Sequence, residues 1–69
     1  MLIEDAKKYL EEGRKMRHDT FLEYEYIYKK EGVLFDEKNQ ELSERSFWYY
    51  RDNNKHFKFG WFFYKEPTL

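Results

Sequence analysis

The chain has 69 residues, no cysteine and a formal net charge of -1, and 39% of its residues are charged. This length predicts a single domain over residues 1–69, and without cysteine the chain can form neither a disulfide nor a thiolate metal site. The nearly balanced charge argues against binding to a nucleic acid polymer, which requires a strongly basic face.

The apolar residues are too scattered along the chain for a membrane-spanning segment, and an unusually large share of them is aromatic. No stretch approaches the roughly 20 apolar residues that cross a membrane, and the N-terminus lacks the apolar core of a signal peptide. We therefore expect a cytoplasmic protein without a membrane partner. Seven tyrosines, seven phenylalanines and two tryptophans outnumber the ten leucine, isoleucine, valine and alanine residues, so rings should form most of the core. For so short a chain, assembly into a homo-oligomer is the remaining source of stability.

The N-terminal segment has the spacing of an amphipathic helix. Its recurring apolar residues are Leu2, Ile3, Ala6, Tyr9 and Leu10. They predict a helix over residues 3–12 that Gly13 ends. Three oppositely charged pairs four residues apart are expected on its solvent face, namely Glu4 with Lys8, Lys7 with Glu11, and Lys8 with Glu12.

A short strand and a β-hairpin are predicted next. Residues 14–18 alternate cations with Met16 and suit a strand antiparallel to the hairpin, followed by a turn at residues 19–20. The hairpin covers residues 23–36, with its turn at residues 30–32. In its first strand the three tyrosines Tyr24, Tyr26 and Tyr28 share one face, because side chains alternate along a strand.

The C-terminal half is polar at first and then strongly aromatic. A turn at residues 36–40 leads into a polar connector, residues 41–46, that Leu42 anchors. Residues 47–51 fit a strand or one helical turn equally well. Residues 57–65 predict a last strand in which Gly60 is a bulge or a point of close approach, and Pro67 ends its ladder.

These elements predict an α+β fold in which one short N-terminal helix packs on a four- to five-stranded antiparallel sheet. A single helix covers one face of such a sheet only. Trp61 and Phe63 alternate with Phe62 and Tyr64, so both faces of the last strand are aromatic. A partner subunit or a ligand is expected to cover the second face.

The residues give little support to catalysis. The histidines His18 and His56 have no metal-binding spacing, and no glycine-rich phosphate loop is present. Glu23 and Glu25 could act as an acid and base pair, although a solvated strand face explains them more simply. We therefore expect no enzyme activity, no cofactor and no metal.

Binding of a flat, anionic ligand has better support. Rings stack on nucleobases and arginine binds phosphate through two nitrogens. The two residue types occur together in two stretches, Arg14, Arg17 and Phe21 in the first, and Phe47, Trp48, Tyr50 and Arg51 in the second. The alternative is that these rings are core and these arginines are surface cations.

Motifs along the chain resemble those of a known family. They are E-D-A-K-x-Y-L-x-x-G in the first helix, R-K-M-R-H in the first strand, E-Y-I-Y before the glycine turn, a D-E turn, and G-W-F-F-Y-K-E near the C-terminus. Together they span nearly the whole chain and are similar to the second type of the phage Thoeris anti-defence sponge family. The family usually has tryptophan where this chain has Phe21.

The resemblance implies a function and a site. Proteins of that family are compact α+β domains that form homo-oligomers and sequester cyclic immune nucleotides, notably cyclic ADP-ribose isomers and in some cases cyclic dinucleotides, without degrading them. By resemblance, Phe21 would stack on the ligand and Arg17 would bind its phosphate. Tyr26, Trp48 and Arg51 are further candidates, because aromatic and cationic groups beside the hairpin could close a pocket between the subunits of a dimer or tetramer.

Two other functions fit the same residues. The chain could be a small phage inhibitor that binds a host defence or CRISPR effector protein through its aromatic sheet face. It could also be a small structural domain of a phage particle, which only its size supports.

Overall fold

The computed structural model describes residues 1–66. Its regular elements are α1 Ile3–Glu11, β1 Met16–His18, β2 Ile27–Lys30, β3 Val33–Asp36, β4 Glu41–Leu42, α2 Glu44–Asp52 and β5 Trp61–Phe63, with a turn of 3₁₀ helix at Lys55–Phe57. The strands form one sheet in the order β4-β3-β2-β1-β5, and all neighbouring strands are antiparallel. The predicted α+β fold is confirmed, and the sheet has five strands.

Helix α1 forms as predicted, but its ion pairs do not. Ile3, Ala6 and Leu10 are buried at helical spacing, and the chain leaves the helix at Glu12 and Gly13. The predicted pair of Lys7 with Glu11 is wrong, since tertiary partners replace it. Lys7 binds Asp52 of α2 at 2.8 Å, and Glu11 binds Lys29 of β2. The charges of α1 therefore join elements instead of stabilising the helix alone.

The hairpin is confirmed, but its first strand begins later than predicted. Residues 23–26 form a turn and loop instead of a strand, because Leu22 and Glu25 bond to each other. The Leu22 N–H donates to Glu25 Oε1 at 2.7 Å, and the Glu25 N–H donates to the Leu22 carbonyl at 2.9 Å. The turn has two residues, Glu31 and Gly32, both with positive φ, as in the tight hairpins that match strand twist.

Helix α2 was not predicted. It absorbs part of the polar connector and all of residues 47–51, so the helical alternative for that stretch is the one adopted. Ser43 begins the helix by accepting the Ser46 N–H at 3.3 Å. Only Trp48 of α2 is buried. The four rings of the helix are consecutive and lack helical spacing, so the sequence pattern does not indicate a helix there.

The predicted strand over residues 57–65 is wrong in length. Only Trp61–Phe63 pairs, with β1, while Phe57 belongs to the 3₁₀ turn. Asn54 caps that turn by accepting the His56 N–H at 2.9 Å, so residues 55–57 are helical instead of extended. Pro67, predicted to end the ladder, lies outside the described residues.

The core lies between the two helices and one face of the sheet. Its buried apolar residues are Ile3, Ala6, Leu10, Met16, Ile27, Leu34, Trp48 and Trp61. The rings of Trp48 and Trp61 are 5.5 Å apart and join α2 to β5. Both helices pack on this core face, so the opposite, outer face of the sheet has no cover from residues 1–66.

Candidate functional site

A cleft of about 400 Å³ opens beside the edge of the core, between the loop before β2, the turn after β3, and α2. Its walls combine rings, one guanidinium and several carboxylates, contributed chiefly by Phe21, Glu25, Asp36, Glu37, Phe47 and Arg51. The loop over residues 19–26 forms one wall of the cleft, and α2 forms the opposite wall.

Arg51 is the cation of the cleft, and its orientation is fixed by aromatic rings. Its guanidinium carbon lies 3.7 Å from the ring centre of Phe47 and 5.1 Å from that of Phe57. Nη1 donates to the Phe47 carbonyl at 3.0 Å, while Nε is buried without a hydrogen-bond partner in the described part of the chain. Burial lowers the pKa of Arg51, although an arginine remains protonated at neutral pH. The cleft therefore contains a preoriented positive charge.

Phe21 belongs to both the core and the cleft. Its backbone N–H donates to the His18 carbonyl at 2.9 Å, which holds the loop against the end of β1. Its ring packs edge-on against Trp61, with centres 5.9 Å apart, and remains half-buried at the cleft wall. The sequence left open whether this ring faced a pocket or the core, and the fold gives it both positions.

Two carboxylates that line the cleft also hold the backbone beside them in place. Asp36 Oδ1 accepts the N–H groups of Lys38 and Gln40, each at 2.9 Å, and so closes the turn after β3. Glu25 Oε1 accepts the Leu22 N–H. Each carboxylate uses one oxygen in these bonds, and both side chains border the cleft as hydrogen-bond acceptors.

Of the other three predicted site residues, two lie outside the cleft and one lies at its margin. Trp48 is 8% exposed and lies in the core. Tyr26 borders the cleft, but its ring lies on the outer sheet face, 4.4 Å from that of Tyr64. Arg17 also lies on the outer face, where its guanidinium covers the Phe62 ring at 4.8 Å. The structure thus unites two of the five predicted residues and places a third at the margin.

The outer face is a second aromatic surface. We call it the outer aromatic face, defined by the side chains of Lys15, Arg17, Tyr26, Tyr28, Phe35, Phe62 and Tyr64. Three of its rings form a row along the hairpin, with centres 5.5 Å apart for Phe35 and Tyr28, and 6.2 Å for Tyr28 and Tyr26. Phe62 is 37% exposed. The alternation of tyrosines predicted part of this face, while Phe35 joined it only through the hairpin register.

His18 is a buried polar residue that serves the fold. It is 1% exposed, and its Nδ1 accepts the Thr20 N–H at 3.1 Å. Nε2 therefore carries the proton, which it donates to the Phe59 carbonyl at 2.7 Å. Sequence reasoning considered this residue only as a metal ligand. Within residues 1–66, no three His, Asp or Glu side chains come together as a metal site.

The expected acid and base pair also loses its basis. Glu23 and Glu25 precede β2, so they do not share a strand face, and Glu25 is engaged with Leu22. None of the helices in the described part of the chain is long and apolar enough to span a membrane.

The chain matches no family model, and comparisons with curated proteins and with solved structures found no match either.

Proposed function

We propose that this protein is a phage anti-defence protein that sequesters a cyclic nucleotide immune signal in the cytoplasm of the host bacterium. The ligand is a cyclic ADP-ribose isomer or a cyclic dinucleotide, held in the cleft without being degraded. The observation that carries this proposal is the convergence of Phe21 and Arg51, two residues proposed for the ligand, on one cleft of about 400 Å³.

The chemistry of the cleft suits such a ligand. Its volume falls within the range of roughly 300 to 1,000 Å³ that small-molecule sites occupy. A ring at Phe21 can stack on a base, and the Arg51 guanidinium can bind a phosphate oxygen. Asp36 and Glu25 can accept hydrogen bonds from ribose hydroxyls or from the amino group of a base. A cleft with these groups favours retention of a nucleotide.

We further propose that the outer aromatic face joins the subunits of a homo-oligomer, a dimer or a tetramer. Tyrosine, phenylalanine and arginine are enriched at the centres of protein interfaces. The row runs from Phe35 on β3 through Tyr28 on β2 to Tyr26 and Tyr64, and Lys15 lies over the Tyr26 ring. A second copy would cover the rings that the helices leave uncovered.

The binding proposal is tested by thermal shift of the purified protein against cyclic ADP-ribose isomers and cyclic dinucleotides. A ligand at a hundred times its Kd stabilises the folded state by about 2.7 kcal/mol, which raises Tm by several degrees in a domain of this size. Heat release followed by mass analysis should recover the ligand intact. Recovery of a product would contradict sequestration, and the absence of any shift would contradict nucleotide binding.

Substitution of Arg51 assigns the binding to the cleft. Arg51→Gln should weaken binding by about tenfold or more, because a charge-assisted hydrogen bond to phosphate is lost. Arg45→Gln is the matched control, since it removes the same charge from an exposed position on the same helix. Equal losses in the two variants would place the ligand elsewhere.

The outer aromatic face also supports a second candidate function, a small inhibitor that binds a host defence or CRISPR effector protein. The observation that favours it is the exposure of Phe62, together with Tyr24 at the margin of the same face. Pull-down from a bacterial lysate distinguishes the two functions. A stoichiometric protein partner that survives competition by nucleotides favours the inhibitor.

A further inference from the structure

Arg17 and His18 are consecutive residues of β1, so their side chains lie on opposite faces of the sheet, and both hold the loop that follows. His18 accepts the Thr20 N–H on the core side. On the outer side, Arg17 Nη2 donates to the carbonyl oxygens of Phe21 at 3.0 Å and Leu22 at 3.2 Å. The backbone of the loop is thus fixed from both sides of the sheet.

The contacts of the Arg17 guanidinium hold it in this position. Its Nε is buried without a hydrogen-bond partner among residues 1–66, and its guanidinium carbon lies 4.8 Å from the ring centre of Phe62. The Leu22 carbonyl, one of its acceptors, also accepts the Glu25 N–H. Arg17 therefore supports the hydrogen bonds that close the loop.

We propose that Arg17 is a positioning residue that fixes the backbone at Phe21 and Leu22 and so presents the Phe21 ring to the cleft. It replaces the phosphate-binding role that the family resemblance implied for this residue. Its guanidinium lies on the outer face, whereas the Phe21 ring packs on Trp61 at the core face. The inference rests on the proposed function only where it names the cleft as the binding site.

The first test uses amide hydrogen exchange of the ligand-free protein, measured by NMR. In Arg17→Gln, the amides of Leu22 and Glu25 should exchange roughly tenfold faster or more, because hydrogen bonds from a charged donor are among the stronger ones. Amides of the hairpin strands should be unchanged. Arg17→Lys keeps a cationic donor and should restore part of the protection, while Arg45→Gln is the charge-matched control.

Two results of that experiment would overturn the inference. One is unchanged exchange at Leu22 and Glu25 in Arg17→Gln. The other is a loss of protection throughout the sheet in both Arg17 variants, which would make Arg17 a residue of the global fold. Because no ligand is present, the answer is independent of whether the protein binds a nucleotide.

The second test asks whether Arg17 acts through Phe21, with cyclic ADP-ribose as the probe. Arg17→Gln and Phe21→Ala should each weaken binding, and the double variant should bind little worse than Phe21→Ala alone. Full additivity of the two losses would overturn the positioning role and favour direct contact between Arg17 and the probe.

Discussion

At the scale of single residues, Gly60 leaves no room for a side chain where the chain enters β5. A Cβ atom placed there would lie 2.8 Å from Asp19 Oδ2 and 2.9 Å from His18 Nε2, and φ is +89°. The sequence predicted a bulge or a close approach at this glycine, and the close approach is confirmed. The Asp19 N–H donates to the Gly60 carbonyl at 2.9 Å, which keeps the two segments together.

Gly60→Ala should therefore be strongly destabilising. The left-handed backbone costs a non-glycine residue about 1 to 2 kcal/mol, and crowding against His18 adds about 1 to 3 kcal/mol. Gly13→Ala is the control, since φ there is also positive but a Cβ meets no atom within 4 Å. Urea denaturation of both variants measures the difference. Equal losses of stability would show that the contact at Gly60 relaxes freely.

At the scale of elements, both apolar packing and ion pairs attach α2 to the rest of the fold. Trp48 inserts into the core, and Lys29 of β2 binds both Glu11 of α1 and Glu44 of α2. Lys29 lies on the core side of the sheet and its side chain is 11% exposed. An ammonium group in this place joins three elements through charge. The core beside it is mostly aliphatic, with Trp48 and Trp61 as its two buried rings, so the expectation that rings would form most of the core is wrong.

Trp48→Ala should destabilise the protein by about 3 to 5 kcal/mol, because it removes a large buried ring that joins α2 to the core. Tyr50→Ala on the same helix is the control, as Tyr50 is 72% exposed and its loss should change stability by less than about 0.5 kcal/mol. Chemical denaturation measures both. A small effect of Trp48→Ala would mean that α2 is held mainly by its charges.

The ion pairs of Lys29 with Glu11 and Glu44 should make the protein less stable at alkaline pH. The pKa of Lys29 is raised above its usual value of 10.5, first by the hydrogen bond to Glu11 and also by Glu44, against the cost of burial. A raised pKa in the folded state stabilises the protein fully below pH 10.5, and this contribution is lost as the pH rises through the folded value. Stability should thus fall more steeply with pH in the wild type than in Lys29→Met.

Thermal unfolding between pH 9 and pH 12, on the order of three pH units around the usual lysine pKa, measures this slope. Tyrosine ionisation contributes to both proteins and cancels in the comparison. Lys8→Met, which removes an exposed lysine of α1, should retain the wild-type slope. The same slope in Lys29→Met and the wild type would contradict the link.

At the scale of the whole molecule, the residues that the structure describes, 1–66, cover the sheet on one face only. Two helices shield the core face, while the outer aromatic face has its rings and cations in contact with each other and with solvent. Lys15 lies 4.8 Å from the ring centre of Tyr26, and Arg17 lies over Phe62. This arrangement suits a surface that a second subunit covers.

Tyr64→Glu should convert the proposed homo-oligomer to a monomer, because it places a charge within the row of rings that a partner would bury. Tyr49→Glu is the control, since Tyr49 is 67% exposed on the outside of α2. Sedimentation of the three proteins gives their mass in solution. A wild type that sediments as a monomer, or a variant that sediments like the wild type, would contradict the proposal.

The sequence determined the elements that local rules govern. The apolar spacing of α1, a glycine turn within residues 30–32, and the short strand after Gly13 follow from propensity and periodicity, which act over a few residues. The fold class followed from their order. The close approach at Gly60 was also foreseen, because glycine within an aromatic run points to a backbone constraint.

The tertiary structure alone decided the rest. Residues 47–51 fit a strand or a helical turn equally well by sequence. They are helical in the fold, where the Trp48 ring packs against Trp61. Arg17 and Arg51 were both predicted to bind the ligand. In the structure Arg17 bonds to the carbonyls of Phe21 and Leu22, whereas Arg51 lines the cleft. The side of the sheet on which each residue lies and the partner that each charge finds depend on contacts between distant segments, and a local pattern carries no information about those contacts.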